Sequence, residues 1–329
     1  MFLFAALIIG GLPVWTLLAA LVDSYRWVRR RTPFAVTRLI LFGAVYLAAE
    51  ILAVNAMFLV WLFAGFGRSR HARMMRGTYV VQAAWVGLLL GAVKRLYGVR
   101  LELENEEVLG PTPGGPAVVL MQHTSLVDTL LPTSLLTTRR GLKLRWVLKQ
   151  ELLKDPALDI GGTRLHNLFV SRDGSETERS MDGLRTLATD LAPDEGVLIY
   201  PEGTRFTADK RLRALARLAK SAPAFVARAE RLRRVLPPRL GGALTILETA
   251  READIVLVGH VGFEGLSSVG SVLSGDLVGR VVRMRYWRIP RREVPVTREA
   301  LIEWLWARWE ELDAWVDATL LQRKAAPAP

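Results

Sequence analysis

Pro116-Ala-Val-Val-Leu-Met-Gln-His-Thr-Ser-Leu-Val-Asp128 is an apolar run that ends in polar residues with acid–base chemistry. A second stretch repeats the pattern, Val197-Leu-Ile-Tyr200 leading into Pro201-Glu-Gly-Thr-Arg205. Short apolar runs bounded by turn residues read as buried strands. Further runs at Leu168–Val170 and Ile255–Val258 alternate with helix-like stretches such as Ser175–Leu191. That alternation predicts an α/β domain from about Val99 onward, with a mainly parallel sheet flanked by helices. In such folds functional residues gather at strand ends, where both polar stretches fall.

The residues at these ends carry complementary chemistry. A neutral histidine can take a proton from an alcohol, and it works best when a carboxylate holds its other ring nitrogen. His123 and Asp128 can form such a pair if the chain turns back between them; the plainer alternative is a surface histidine and an N-cap aspartate. Arg205 offers a planar fork that can bind phosphate through two hydrogen bonds. Gly203 permits a close turn, Thr204 joins it to Arg205, and Glu202 can bind a hydroxyl or hold a neighbouring basic group. Two more cations are candidates for the same cleft: Lys149, which follows Arg145–Leu148, and Arg172, which follows Leu168–Val170. Either also reads as a solvated charge. A hydroxyl-activating base beside an anion clamp suggests acyl transfer onto a phosphate-bearing alcohol. The other histidines, His71, His166 and His260, show no zinc-ligand spacing with a second histidine, and no metal is implied.

The charge of the chain is unevenly placed. Residues 1–100 carry twelve of the 44 Arg and Lys side chains but only two of the 32 acids, Asp23 and Glu50, and so hold +10 of the formal +12. The same segment is strongly apolar. Met1–Val22 has no charge and is long enough, at about 1.5 Å per residue, to cross a hydrocarbon core of roughly 30 Å. It lacks a basic leader, so it reads as a retained anchor rather than a cleaved signal. Leu39–Phe66 is a second long apolar stretch, interrupted only by Glu50 and Asn55; a carboxylate at that depth should face another helix or water. Tyr79–Val93 is a shorter third run that reads as an interfacial helix. Both Tyr25–Arg38 and Arg68–Arg76 are basic, so the distribution of positive charge leaves open whether Leu39–Phe66 crosses or re-enters. Arginines beside apolar segments suit anionic lipid headgroups, and no zinc-finger or aromatic RNA-binding signature points to nucleic acid. The absence of cysteine excludes disulfides and thiolate chemistry.

Past the second motif, Asp209–Thr249 is a basic helical stretch broken at Leu236-Pro-Pro-Arg-Leu-Gly-Gly242. Val281–Ile289 reads as a strand whose alternating arginines suggest a sheet edge. Thr297–Leu321 is predicted to be a terminal helix with Leu301, Leu305, Trp309, Leu312 and Val316 on one face. Its four tryptophans, Trp304, Trp306, Trp309 and Trp315, either pack in the core or meet a membrane interface.

Taken together, the motifs resemble those of the glycerolipid acyltransferases. His123 to Asp128 matches the family's histidine–four residues–aspartate block. Arg172, in Leu168-Phe-Val-Ser-Arg172, is similar to the second block, and Pro201 to Arg205 to the third, in the family order. Val147-Leu-Lys149-Gln-Glu-Leu152 looks like the lysine-bearing segment between the first two. The resemblance covers roughly residues 97–316, and Phe206-Thr-Ala-Asp-Lys210 with Leu236-Pro-Pro-Arg239 resembles the branch of lysophosphatidate and lysocardiolipin acyltransferases. Two stretches depart from the pattern: Val256-Leu-Val-Gly-His260 lacks the usual Val-Pro pair, and Leu153–His166 is short and polar.

The resemblance implies direct attack without an acyl-enzyme. His123 would be the base and Asp128 its orienter; Arg172 and Arg205 would bind the acceptor phosphate, with Lys149 nearby, and Glu202, Gly203 and Thr204 would shape that site. It further implies membrane anchoring by residues 1–76, an interfacial or third membrane helix at 77–98, a cytoplasm-facing catalytic domain at 99–296 and an amphipathic helix and tail at 297–329. The expected acceptor is a lysophospholipid, by default lysophosphatidate. Lysocardiolipin, lysophosphatidylinositol or another lysolipid is the alternative, and a non-catalytic membrane adaptor a third reading. Acyl-CoA or an acyl carrier protein thioester would be the co-substrate, with no resident cofactor.

Overall fold

The computed structural model describes residues 2–66, 71–110, 114–171, 177–266 and 268–325. Helices α1 (Phe2–Gly10), α2 (Leu12–Arg30), α3 (Ala35–Phe63) and α4 (His71–Tyr97) come first. Strands β1 (Arg100–Glu104) and β2 (Ala117–Met121) follow, then the helical turn α5 (Leu130–Pro132), β3 (Lys143–Lys149) and α6 (Pro156–Arg164). Next are β4 (Leu168–Val170), α7 (Thr177–Ala188), β5 (Glu195–Ile199), α8 (Ala208–Ser221) and α9 (Val226–Arg231). Then come α10 (Leu240–Thr249), β6 (Asp254–Val261), α11 (Val269–Leu273), β7 (Val281–Ile289) and α12 (Arg298–Ala325).

Among the described residues seven strands form one sheet in the order β1-β7-β6-β2-β5-β3-β4. The five strands from β6 to β4 run parallel, β7 runs antiparallel to β6, and β1 is parallel to β7. Every residue of β2 and β5 is buried, as expected of parallel strands covered by helices on both faces. One face packs α7, α10 and α12 around Val118, Leu120, Val197 and Leu257. The other packs α4, the α5 region and the loop after β6 around Val119, Met121, Leu198 and Val258. The predicted mainly parallel sheet flanked by helices is therefore present.

The edge position expected for β7 is corrected by the pairing. Its neighbours are β6 on one side and β1 on the other. Arg283 lies 3.3 Å from both Glu102 and Glu104 of β1, and Arg288 pairs with Asp254 of β6 at 2.8 Å. Alternating charge here marks a partner strand of opposite charge rather than an open edge. The tryptophans of α12 belong to the core: Trp306 and Trp309 are fully buried, and Trp309 Nε1 donates to the Leu236 carbonyl at 2.8 Å. The helix lies close to the sheet because Gly259 leaves room; a Cβ there would come within 2.5 Å of Leu312.

The uncharged run Met1–Val22 is not one helix. It breaks at Gly11, followed by Pro13, and α2 continues beyond it to Arg30. Among the described residues α3 and α4 are the two helices long and apolar enough to cross a membrane. One side of α3 is docked on the rest of the protein. Asp23 accepts from the Val36 and Thr37 amides at the start of α3, and Glu50 accepts from the Ala157 amide at the start of α6. Both acids of residues 1–100 thus engage amides that a helix start leaves unpaired.

Candidate active site

His123 lies two residues past β2, where the parallel ladder ends and the backbone is free to turn. Asp128 sits in the following turn, just before α5, with its carboxylate directed back at the strand end. Its Oδ1 is 3.0 Å and its Oδ2 3.2 Å from His123 Nδ1. The Thr124 and Ser125 amides donate to Oδ2 at 2.7 and 2.9 Å. The Ser125 hydroxyl in turn accepts from the Val127 and Asp128 amides, both at 3.0 Å, which fixes the turn. Asp128 is 0% exposed and the His123 side chain 14%. Burial alone pushes the Asp128 carboxyl up, but hydrogen bonds and charge from His123 and His260 outweigh it, and the net direction is well below the usual carboxylate range. With Nδ1 held, Nε2 is the ring nitrogen left for an incoming proton.

The second loop leaves β5 one strand away. Its turn closes with the Gly203 amide donating to the Tyr200 carbonyl at 2.9 Å, and Gly203 has φ of +66°. A Cβ at Gly203 would lie 2.9 Å from Arg239 Nε, so this position requires glycine both for its conformation and for the guanidinium against it. The two loops are tied directly, the Phe206 amide donating to the His123 carbonyl at 2.9 Å. Glu202, 2% exposed, turns inward, and its Oε1 accepts from the His123 amide at 3.4 Å. Burial, helped by the charges of Asp128 and Asp313, pushes its carboxyl well above the ordinary range against the lowering effect of the His123 and Leu236 amides. Through its contact with the His123 amide, Glu202 ties its loop to the one that carries His123. The Tyr200 ring lies over His123 with centroids 4.5 Å apart.

Thr204 and Arg205 continue from the Gly203 turn, and the Arg205 carbonyl accepts from Lys210 Nζ at 3.2 Å. Lys149 ends β3 and is half-buried, in register with Val170 of β4. Arg172 lies outside the described residues, two positions after the end of β4. The strands leading to His123, to the Glu202–Arg205 turn and to Lys149 are parallel, so these three segments leave the sheet at the same end. Three neighbours were not singled out by sequence reasoning: Arg239, against Gly203; Tyr200, against His123; and His260, 3.5 Å from Asp128. Only Arg239 had a local signal, the Pro-Pro-Arg turn. Among the described residues no group of three or more His, Asp or Glu side chains is arranged to hold a metal ion. A cleft of about 430 Å³ opens beside the loops, walled by Gln122, Thr124, Phe206, Val316 and Leu320 with Arg233 and Arg234 also lining it.

A base with its orienting carboxylate at one parallel strand end, facing a Gly-Thr-Arg turn at the next, suits proton removal from a hydroxyl on a molecule that carries an anion. A family model described as acyltransferase matches residues 100–259, the span that holds both loops. Lysocardiolipin acyltransferase 1 of Gallus gallus is 22% identical over 236 residues, covering 70% of this chain and 60% of that protein. The Mus musculus protein of the same name is 21% identical over 276 residues, covering 82% and 68%. Over residues 100–259 the chain is similar to the acyltransferases. It spans about two thirds or less of the length of these curated relatives. It is also similar to the crystal structure of the 1-acyl-sn-glycerophosphate acyltransferase PlsC from Thermotoga maritima, with a TM-score of 0.49 and 14% identity over 85% of this chain and 98% of that one. The segment Val256–His260, which lacks a Val-Pro pair, brings His260 to 3.5 Å from Asp128.

Proposed function

We propose that this protein is a membrane-bound O-acyltransferase that moves a fatty acyl group from a thioester to the free hydroxyl of a lysophospholipid. The observation that carries the reading is the His123–Asp128 pair joined through the Phe206 amide to the Gly203–Arg205 turn. His123 Nε2 takes the hydroxyl proton as the oxygen attacks the thioester carbonyl. The new C–O bond forms, the tetrahedral intermediate collapses with loss of the C–S bond, and His123 returns the proton to the leaving thiolate. Asp128 keeps the ring in the tautomer that this exchange needs. Arg205, Arg172 and Lys149 hold the acceptor's phosphate, while Glu202, Gly203 and Thr204 shape the turn.

Lysophosphatidate is the acceptor that this charge set favours, giving phosphatidate. Its phosphate monoester carries more charge than a diester, and it lies close to the hydroxyl that is acylated. Lysocardiolipin, or another diester lysolipid, is the second reading, favoured by the names of the two curated relatives. The apolar cleft beside Phe206 can take an acyl chain, and acyl-CoA or an acyl carrier protein serves as donor. The apolar helices α2 to α4, with the arginines of residues 1–100, support membrane anchoring with the catalytic domain facing the cytoplasm.

Lipid mass spectrometry on the detergent-purified protein tests this. Mixed lysophospholipids are offered with acyl-CoA and, separately, with acyl carrier protein. A new diacyl lipid from the wild type is expected, with turnover at least about 100-fold lower for His123→Ala. Most of the activity surviving in that variant, or no product from any acceptor with either donor, would overturn the reading.

A further inference from the structure

β6 lies beside β2, with Met121 paired to Val258; continuing the register past the strand end sets His260 opposite His123. His260 is 0% exposed and lies on the sheet face that carries Met121 and Phe263, its ring edge-on to that of Phe263. Its carbonyl accepts from Gln122 Nε2 at 2.6 Å, tying it to the residue just before His123. Among the described residues neither ring nitrogen has a hydrogen-bond partner of normal geometry, and the nearest acceptor is Asp128 Oδ2, 3.5 Å from Nε2. An imidazole buried in an apolar layer without full partners is unfavourable for stability, and a leucine would fill the space without that cost. The acceptor that lies 3.5 Å from its Nε2 is the carboxylate that orients His123.

We infer that His260 is a positioning residue whose Nε2–H donates to Asp128 Oδ2, so that one carboxylate is shared by two histidines. In either neutral tautomer one ring nitrogen carries the proton, and Nε2 is the one with an acceptor in reach. Asp128 then receives donors on several sides: His123, the Thr124 and Ser125 amides, and His260. It can neither rotate away from His123 nor settle on a different partner. Tyr200, over the His123 ring, and Glu202, on the His123 amide, are the other titratable groups of this cluster. His260 acts through Asp128, without touching substrate.

The kinetic arm of the test rests on the acyl-transfer reading above; the spectroscopic arm does not. For His260→Leu, kcat should fall roughly 10-fold, the scale seen when an outer partner of a functional histidine is removed. KM for both substrates should stay within about twofold. The melting temperature should stay close to that of the wild type, since the lost donor to Asp128 is offset by replacing a ring whose Nδ1 has no partner with a hydrocarbon. His260→Gln, which keeps an N–H donor, should recover most of the loss. A purely structural histidine would give the opposite pattern, with stability lost and no rescue. Wild-type kcat in His260→Leu would overturn the inference. The chain has four histidines, so ¹⁵N-edited imidazole spectra of the full-length protein in detergent can be assigned by single substitution. A slowly exchanging Nε2–H signal is expected from His260, displaced in Asp128→Asn. A His260 protonated at Nδ1, or one indifferent to Asp128→Asn, would overturn the inference. If no lysolipid is acylated by the wild type, the functional reading fails and these spectra alone decide on His260.

Discussion

Asp128 and Glu202 are both buried beside His123, yet their surroundings push them in opposite directions. Asp128 is ringed by donors and holds its proton less tightly in the folded protein than in the unfolded chain. Its contribution to stability is therefore complete above the unfolded value of about 3.9 and is lost as pH falls through and below it. Glu202 lacks comparable donors and holds its proton more tightly when folded. Its contribution is present below the unfolded value of about 4.3 and is lost as pH rises from there towards the raised folded value. Two tests follow from these signs. Asp128→Asn should lower kcat by about 10² to 10⁴, and its stability deficit against wild type should shrink once thermal melts are run below about pH 4. Glu202→Gln keeps an acceptor for the His123 amide and has no proton to bind. In melts between pH 5 and 8, its stability relative to wild type should climb with pH; a flat difference would contradict a raised Glu202 carboxyl.

At the scale of elements, the strands that position the site were legible because both their faces are covered. Ala117–Met121 and Gly196–Ile199 had to be apolar throughout, and the polar loops after them had to begin where the ladder stops. His123 and Asp128 were readable as a pair because a five-residue turn is local. His260 and Arg239 were not, since their approach to Asp128 and Gly203 depends on which strand and helix the topology sets beside β2 and β5. The edge assignment of β7 failed for the same reason: the acid that answers Arg283 sits on β1, 181 residues earlier. Glu50 shows a further limit, for an acid within an apolar stretch gives no sign of which helix start it will meet. Its Oε2 accepts from the Ala157 amide at 3.2 Å, beside the Asp155 cap that accepts from Leu158 at 2.9 Å. Glu50→Leu should cost about 1–3 kcal/mol in detergent-phase unfolding, and Glu50→Gln, which keeps the acceptor, should restore most of it.

For the molecule as a whole, these contacts make the N-terminal helices part of the catalytic body rather than a tether. Arg26 Nη2 donates to the Leu273 carbonyl at 2.8 Å, and the Tyr46 hydroxyl bonds to Asp155. Arg164 Nη1 donates to the Met57 carbonyl at 2.8 Å. Pro33 packs so closely on Gly275 that a Cβ there would meet its ring at 2.4 Å, and Met57 does the same at Gly161 at 2.7 Å. The opposite side of the same helices exposes Trp15, Leu18 and Leu21 of α2 and Leu52, Phe58 and Phe63 of α3, an apolar surface that calls for lipid cover. The two sides make different demands. High salt should leave the full-length protein on membranes while detergent releases it, because the cover is apolar and not merely ionic. A chain that starts at residue 67 would lose that lipid-facing surface but uncover α4 and α6, along with the Asp155 side chain and the Ala157 amide. It should therefore aggregate without detergent, and melt well below the full-length protein even with it. Size-exclusion chromatography with melting curves on both forms checks this, and a monodisperse truncated domain of unchanged stability would show that the helices are only an anchor.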